Sequence, residues 1–177
     1  MRPFILFLVS VLQALAADPF TARVVRVTDG DTITVEAPGH IVRVRLFGID
    51  CPESKQDGGP QATWFTRDAA LDRTVQVIQH DTDRYGRMVA DIVLPDGRML
   101  NKELVRSGNA WWYSQYDRDD AGLKVLEADA REQHKGLWAA SNPMPPWEWR
   151  KLAKATPQPK QARSKRSQPR SERRSIR

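Results

Sequence analysis

The sequence contains few side chains that could crosslink the protein or supply a sulfur or imidazole nucleophile. Cys51 is the single cysteine, and there are three histidines. One cysteine excludes an intrachain disulfide, so stability must come from packing, to which six tryptophans contribute. The histidines are distant from Cys51 in sequence, and no neighbouring residue would activate its thiolate. A cysteine-nucleophile enzyme is therefore disfavoured.

Long apolar runs are confined to the N-terminus. Residues 4–12 are predominantly apolar behind Arg2, and the run ends in Ala14-Leu15-Ala16, a small-x-small pattern that signal peptidase cleaves. The run is shorter than the roughly 20 apolar residues of a spanning helix. We expect residues 1–17 to be a signal peptide, the protein to be secreted or periplasmic, and no stable membrane anchor after processing. The alternatives are an uncleaved anchor and a buried first helix.

An excess of positive charge is absent from most of the chain, although the net charge is +6. Residues 151–177 contain ten Lys or Arg and one acidic residue. Residues 1–150 contain eighteen Lys or Arg and twenty-one acidic residues. The total charge therefore does not predict a uniformly cationic face on the body. From Thr156 onward the composition is polar without apolar periodicity, so we expect 151–177 to be a disordered basic tail.

Residues 18–150 are expected to form one domain. Apolar and polar residues alternate in five segments, which is the pattern of strands: 21–28, 32–36, 41–49, 74–79 and 88–94. The first three are joined by turns too short for parallel pairing, so they should form an antiparallel meander. The sequence predicts an α+β, mainly β fold: a five-stranded Greek-key barrel of the oligonucleotide-binding type with about three peripheral helices.

Helical signals separate and follow these strands. Pro60 suits a first helical residue, and the apolar spacing continues to Arg73. Asn101 is expected to cap a second helix that ends at Gly108. Asp119 or Asp120 would cap a third. Trp147 and Trp149 are expected to pin the C-terminal extension to the body.

Charged residues form four clusters along the chain. They are Asp29-Gly30-Asp31-Thr32, Arg45, Asp50-Cys51-Pro52-Glu53 and Asp83-Arg84-Tyr85-Gly86-Arg87. The first three are separated by short strand-like runs, so strand pairing could gather them at one rim. Carboxylates suit a hard cation, a spare carboxylate suits proton transfer, and guanidiniums suit a phosphate. These groups could together hydrolyse a phosphodiester.

Each cluster alone has a simpler interpretation. Asp29-Gly30-Asp31 could be a solvated hairpin turn. Asp50 and Glu53 could be helix-capping or surface acids. Arg45 and Arg87 could be surface cations or partners of those acids in structural ion pairs.

Taken in order, the clusters and the segment 101–108 resemble signature blocks of the staphylococcal nuclease (thermonuclease) family. The resemblance extends over residues 21–138, and 145–149 is similar to bacterial members. It implies the barrel fold, a bound calcium ion and a secreted bacterial enzyme. It also implies endonucleolytic hydrolysis of DNA and RNA that leaves 3′-phosphates, with low sequence specificity.

The resemblance also implies roles for individual residues. Asp31 and Asp50 match side-chain calcium ligands, and Cys51 matches a residue that binds calcium through its backbone carbonyl. Glu53 matches the general base. Arg45 and Arg87 match the pair that binds phosphate.

Three tyrosines match positions near the substrate. Tyr85 lies inside the turn that carries Arg87, and Tyr113 and Tyr116 fall near the position where the family stacks a base. Asp29 matches an acid beside the ion rather than a ligand. Cys51 departs from the family pattern, because the best-known member has threonine there.

Two other functions are possible for such a chain. The main alternative is a non-catalytic barrel module that binds nucleic acid; such domains usually lack one or more of the acids or arginines, and this chain keeps all five. A weaker idea is a surface adhesin for polyanions that acts through residues 151–177. For the enzyme we expect a monomer with DNA and RNA as substrates.

Overall fold

The computed structural model describes residues 18–115 and 121–155, and within them seven strands and four α-helices. The strands are β1 (Phe20–Asp29), β2 (Thr32–Ala37), β3 (His40–Leu46), β4 (Ile49–Asp50), β5 (Thr74–Thr82), β6 (Met88–Val93) and β7 (Trp111–Trp112). The helices are α1 (Gly59–Ala70), α2 (Leu100–Arg106), α3 (Ala121–Glu132) and α4 (Pro146–Ala155), and a 3-10 turn spans Gly136–Ala139. The predicted signal peptide, 1–17, lies outside the described residues.

Five strands close into a barrel in the order β1-β2-β3-β6-β5. The first three form the predicted antiparallel meander. The barrel closes where β3 and β6 pair in parallel, with Arg45 opposite Val89. Parallel pairing needs a long connection, which α1 and β5 provide. The predicted five-stranded barrel of the oligonucleotide-binding type is confirmed.

The alternation along β3 decides which side chains enter the barrel. Val44 and Leu46 are buried, whereas Arg43 and Arg45 lie on the other face. The buried apolar positions of the remaining strands meet them in the core, including Val24, Ile33, Val35, Val77 and Ile92. Arg45 is therefore delivered to the barrel rim by the same register that buries its neighbours.

Helix α1 packs against the β1–β2 turn and fixes its position. Thr66 in α1 donates a 2.6 Å hydrogen bond from its Oγ1 to the carbonyl of Gly30. A Cβ atom on Gly30 would lie 2.7 Å from the Cβ of Ala62 and 2.8 Å from that of Cys51. Only glycine lets the turn approach α1 and the segment after β4 this closely.

The prediction that Asn101 caps α2 is wrong. The helix begins at Leu100, and the Asn101 side chain is buried. Its Oδ1 accepts a 3.1 Å bond from the Ile92 amide, and its Nδ2 donates a 2.9 Å bond to the Phe47 carbonyl. Asn101 therefore ties α2 to β6 and to the turn that follows β3.

The C-terminal extension forms α4, a fourth helix beyond the three predicted. Trp147 pins it as expected, because its ring stacks on Tyr113 with centroids 5.4 Å apart. Residues 151–155 belong to α4, so the predicted tail begins inside this helix; residues 156–177 lie outside the described part of the chain. No helix in the described ranges is long and apolar enough to cross a membrane.

Candidate active site

Two carboxylates from separate loops meet at the barrel rim. Asp31 lies in the β1–β2 turn, and Asp50 ends β4. The Cys51 amide donates a 2.7 Å hydrogen bond to Asp31 Oδ2. Arg45 pairs through Nη1 with Asp31 Oδ1 and through Nη2 with Asp50 Oδ1, the latter at 2.7 Å. The structure therefore brings together three residues that the sequence predicts for one site.

These carboxylates are shielded from water. Asp50 is 1% exposed and Asp31 is 6% exposed. A buried carboxylate is costly unless a cation or several hydrogen bonds compensate it. Arg45 supplies one positive charge for two negative ones, so the three side chains together remain anionic. This part of the rim attracts a further cation.

The donors at this position fit a calcium ion. Asp31, Asp50 and the Cys51 carbonyl would offer oxygen atoms, which hard cations prefer. Across 18–115 and 121–155, no three His, Cys, Asp or Glu side chains gather into a metal-binding group. An ion held by these donors would complete its shell largely with water and bind weakly.

Glu53 lies in the loop between β4 and α1, which Gln56 organises. The Glu53 amide donates to Gln56 Oε1 at 3.1 Å, and the Gln56 amide donates to the Glu53 carbonyl at 2.8 Å. Gln56 is buried, and its Nε2 donates a 2.6 Å bond to the Met144 carbonyl just before α4. Sequence reasoning missed Gln56, because nothing local distinguishes it from other polar loop residues.

Arg150 in α4 is a further site residue that the sequence did not indicate. Its Nη2 lies 2.7 Å from Asp50 Oδ2, and its Nη1 lies 3.2 Å from Asp50 Oδ1 and 2.9 Å from Glu53 Oε1. Burial lowers the pKa of Arg150, but the hydrogen bonds and charges of the two carboxylates outweigh it and raise that pKa above its usual value. The sequence feature that could have drawn attention to Arg150 is the aromatic segment 145–149, which directly precedes it.

Arg87 lies next to β3 but has a partner of its own. It precedes β6, the strand that pairs with β3 beside Arg45. Its Nε donates a 2.7 Å bond to Asp83 Oδ2, while Asp83 also accepts from the Arg87 amide at 3.0 Å and the Tyr85 amide at 2.9 Å. Burial raises the pKa of Asp83, but these bonds outweigh it and lower that pKa. Within the described residues, the Arg87 guanidinium contacts Asp83 and the Tyr85 ring.

The predicted substrate tyrosines lie in different surroundings. Tyr85 is 69% exposed, and the guanidiniums of Arg84 and Arg87 lie 4.9 and 5.6 Å from its ring centroid. Tyr113 has one ring face against Trp147. Tyr116 lies outside the described residues.

Two neighbours of the carboxylates have supporting positions. Cys51 is buried, and burial raises the pKa of its thiol well above the usual value; the charges of Asp50 and Asp29 add to this and Arg45 opposes it. The thiol therefore stays protonated, which argues against a role for Cys51 as a nucleophile. Asp29 Oδ1 accepts a 3.2 Å bond from the Asp31 amide, which fixes the turn.

A cavity of about 850 Å³ lies on the C-terminal side of the domain and is separate from this cluster. Trp111, Trp138 and Trp147 line it together with Glu127 and Arg131. None of the carboxylates of the rim cluster lines it.

Comparisons with known proteins show which family the chain belongs to. Residues 43–140, more than half of the chain, match the family model described as Staphylococcal nuclease homologue. The chain therefore belongs to the staphylococcal nuclease family. The matched range includes Arg45, Asp50, Glu53 and Arg87 but neither Asp31 nor Arg150.

Several curated relatives are similar over most of their length. An "Uncharacterized endonuclease" of Escherichia coli O157:H7 is 46% identical over 148 residues, which cover 84% of this chain and 95% of the relative. "Micrococcal nuclease" of Shigella flexneri is 37% identical over 155 residues, covering 82% and 89%. An "Uncharacterized endonuclease" of Haemophilus influenzae is 36% identical over 151 residues, covering 85% and 84%.

Proposed function

We propose that this chain is a calcium-dependent endonuclease that hydrolyses DNA and RNA with low sequence specificity and leaves 3′-phosphates. Family membership and the names of the relatives support a hydrolytic nuclease. The observation that carries the proposal is the buried pair of Asp31 and Asp50 beside Glu53, because these three carboxylates face only two guanidiniums, Arg45 and Arg150, and the rim stays anionic.

Calcium would be held by Asp31 and Asp50 and by the backbone carbonyl of Cys51. When bound, it would polarise the phosphate and neutralise charge that develops on it. The few protein ligands suit an environment where calcium is abundant. Such an environment agrees with the proposal that residues 1–17 direct export to the periplasm or medium.

Glu53 is proposed to remove the proton from the attacking water. Its side chain is 40% exposed, so water and substrate can reach it. Because no ligand role is assigned to Glu53, its carboxylate can accept a proton. Arg150 pairs with both Glu53 and Asp50, so the proposed base lies beside a proposed calcium ligand.

The arginines are proposed to bind the phosphate. A guanidinium has five N–H groups. Arg45 uses both N–H groups of Nη2 on Asp50 and the Ile49 carbonyl, and its Nη1 pairs with Asp31 without a hydrogen bond, so N–H groups of this guanidinium remain for a phosphate oxygen. Arg87 would exchange its Asp83 contact for the substrate. Planar guanidiniums suit the extra negative charge of the transition state better than lysine does.

Cleavage assays with end-labelled single-stranded DNA and RNA test the metal requirement. We expect both substrates to be degraded when calcium is present and neither after chelation, with activity returning on calcium addition. Products should become extendable by a polymerase only after phosphatase treatment. Binding of both substrates without cleavage would instead support the non-catalytic barrel module.

Glu53→Gln tests the general base. We expect turnover to fall by about 100-fold or more, since general-base catalysis contributes about 10²–10⁴-fold, while nucleotide binding is largely retained. Glu36→Gln is the matched control, because Glu36 is exposed near the opposite end of β2. Equal turnover in Glu53→Gln and the parent would remove Glu53 from the mechanism.

A further inference from the structure

Arg150 covers the outer side of the Asp50 carboxylate. Its two Nη atoms approach both oxygens of Asp50, at 2.7 and 3.2 Å, in a forked geometry, and one of them also reaches Glu53 at 2.9 Å. Forked, charge-assisted contacts of this kind are among the strongest hydrogen bonds in proteins. With Arg45 already on Asp50 Oδ1, both oxygens of this carboxylate are engaged by cations.

Helix α4 holds Arg150 in this position through contacts that do not involve its guanidinium. Trp147 stacks on Tyr113, and Pro146 is buried. The Gln56 side chain binds the carbonyl of Met144 just before the helix. The backbone of α4 is therefore fixed to the barrel, while the Arg150 side chain is 38% exposed and can turn towards solvent.

A calcium ion and this guanidinium would compete for the same carboxylate, Asp50. Calcium lies about 2.3–2.6 Å from its oxygen ligands. The Arg150 Nη2 lies 2.7 Å from Asp50 Oδ2, so it already takes up one of the directions from which this oxygen could bind a cation. Two cations at this distance in a partly buried site also repel each other strongly. The contact with Arg150 compensates the charge of Asp50 when no metal is bound, and it opposes metal binding.

We propose that Arg150 is a built-in competitor of the divalent cation: its guanidinium occupies Asp50 and Glu53 in the cation-free protein, and the cation binds by displacing it. This inference rests on the proposed cation site at Asp50. Displacement also frees Glu53 from its ion pair, so the carboxylate proposed as the base becomes available only when the cation is in place.

Isothermal titration calorimetry with calcium chloride on the chelator-treated full chain tests the competition directly. We expect Arg150→Gln to bind calcium about 10- to 100-fold more tightly than the parent, because a hydrogen bond between charged groups has a strength of this order. The fixed backbone of α4 should let this variant fold. Circular dichroism of the cation-free variant checks that it does.

Arg150→Lys tests whether the contacts of the guanidinium with Asp50, or only its positive charge, weaken calcium binding. Lysine keeps the positive charge but lacks the fork that engages both Asp50 oxygens and Glu53. Its dissociation constant should fall between those of the parent and Arg150→Gln. Lys151→Gln is the matched control on α4, since Lys151 is exposed and pairs with Glu148, and its calcium affinity should equal that of the parent.

Three outcomes would overturn the inference. If Arg150→Gln binds calcium as weakly as the parent while both cleave DNA, the competition is wrong and the proposed function stands. If Arg150→Lys matches the parent, the long-range charge and not occupancy sets affinity. If neither protein binds calcium, there is nothing for Arg150 to compete with, and the calcium requirement in the proposed function fails as well.

Discussion

Asp50 receives one guanidinium from the barrel and another from the C-terminal helix, and the two differ in how they are held. Arg45 projects from β3, is 16% exposed, and also donates a 3.1 Å bond to the Ile49 carbonyl. Arg150 reaches Asp50 from α4 with more than twice that exposure. The barrel therefore supplies a fixed counterion, and the helix supplies an exchangeable one.

This difference follows from how each region is built. The register of β3 and its pairing with β2 and β6 leave Arg45 a single position, next to Asp31 and Asp50. Arg150 depends on a helix that lies outside the residues 43–140 matched by the family model. The barrel rim thus holds its arginine through strand register, whereas α4 brings Arg150 to the site from outside the barrel.

The largest effect is expected when Arg45 and Arg150 are removed one at a time. Arg45→Gln should lower the free energy of unfolding by about 3–5 kcal/mol, because it leaves the buried Asp31 without a cation while Asp50 keeps Arg150. Arg150→Gln should cost less, since Arg45 remains and Glu53 is exposed to water. Urea unfolding of both variants without calcium measures this. Equal losses would contradict a distinction between a fixed and an exchangeable counterion.

The β1–β2 turn tests how tightly the barrel rim is packed. Gly30→Ala should destabilise the protein by about 1–3 kcal/mol, because its new methyl group would overlap Ala62 and Cys51. Gly122→Ala, the same change at an exposed position of α3, should instead stabilise by up to about 1 kcal/mol, since alanine favours helix. Thermal unfolding of the two variants compares them. A neutral Gly30→Ala would show that the rim can relax.

The sequence predicted the barrel rim better than the C-terminal segment for a physical reason. Strand alternation and short turns are local patterns, and once β2 and β3 pair, Asp31 and Arg45 must become neighbours. Arg150 and Asp50 are 100 residues apart, and Gln56 and Met144 are 88 apart. No local period encodes such contacts.

Asn101 shows the same limit inside the barrel. An asparagine ahead of an apolar helical pattern is a typical cap. Its actual partners, the Ile92 amide in β6 and the Phe47 carbonyl just after β3, come together only when the barrel closes. Tertiary contacts therefore override the local preference, and the helix begins at Leu100.

The smallest effect is expected in α3, at Glu127. Burial raises the pKa of Glu127 above its usual value of 4.5, although Arg131 and the Trp112 amide oppose this. The folded protein therefore binds the Glu127 proton more tightly than the unfolded chain. The resulting stability is present below the unfolded pKa and is lost as pH rises through the folded pKa.

Glu127→Gln should remove this dependence. The variant should gain stability relative to the parent as pH rises from about 4 through the raised pKa, because the amide carries no charge to desolvate. Chemical unfolding at several pH values measures the difference, and Glu132→Gln on the exposed side of α3 serves as the control. If the difference in stability does not change with pH, water reaches Glu127. Helix α3 would then pack on β7 more loosely than α1 packs on the barrel rim.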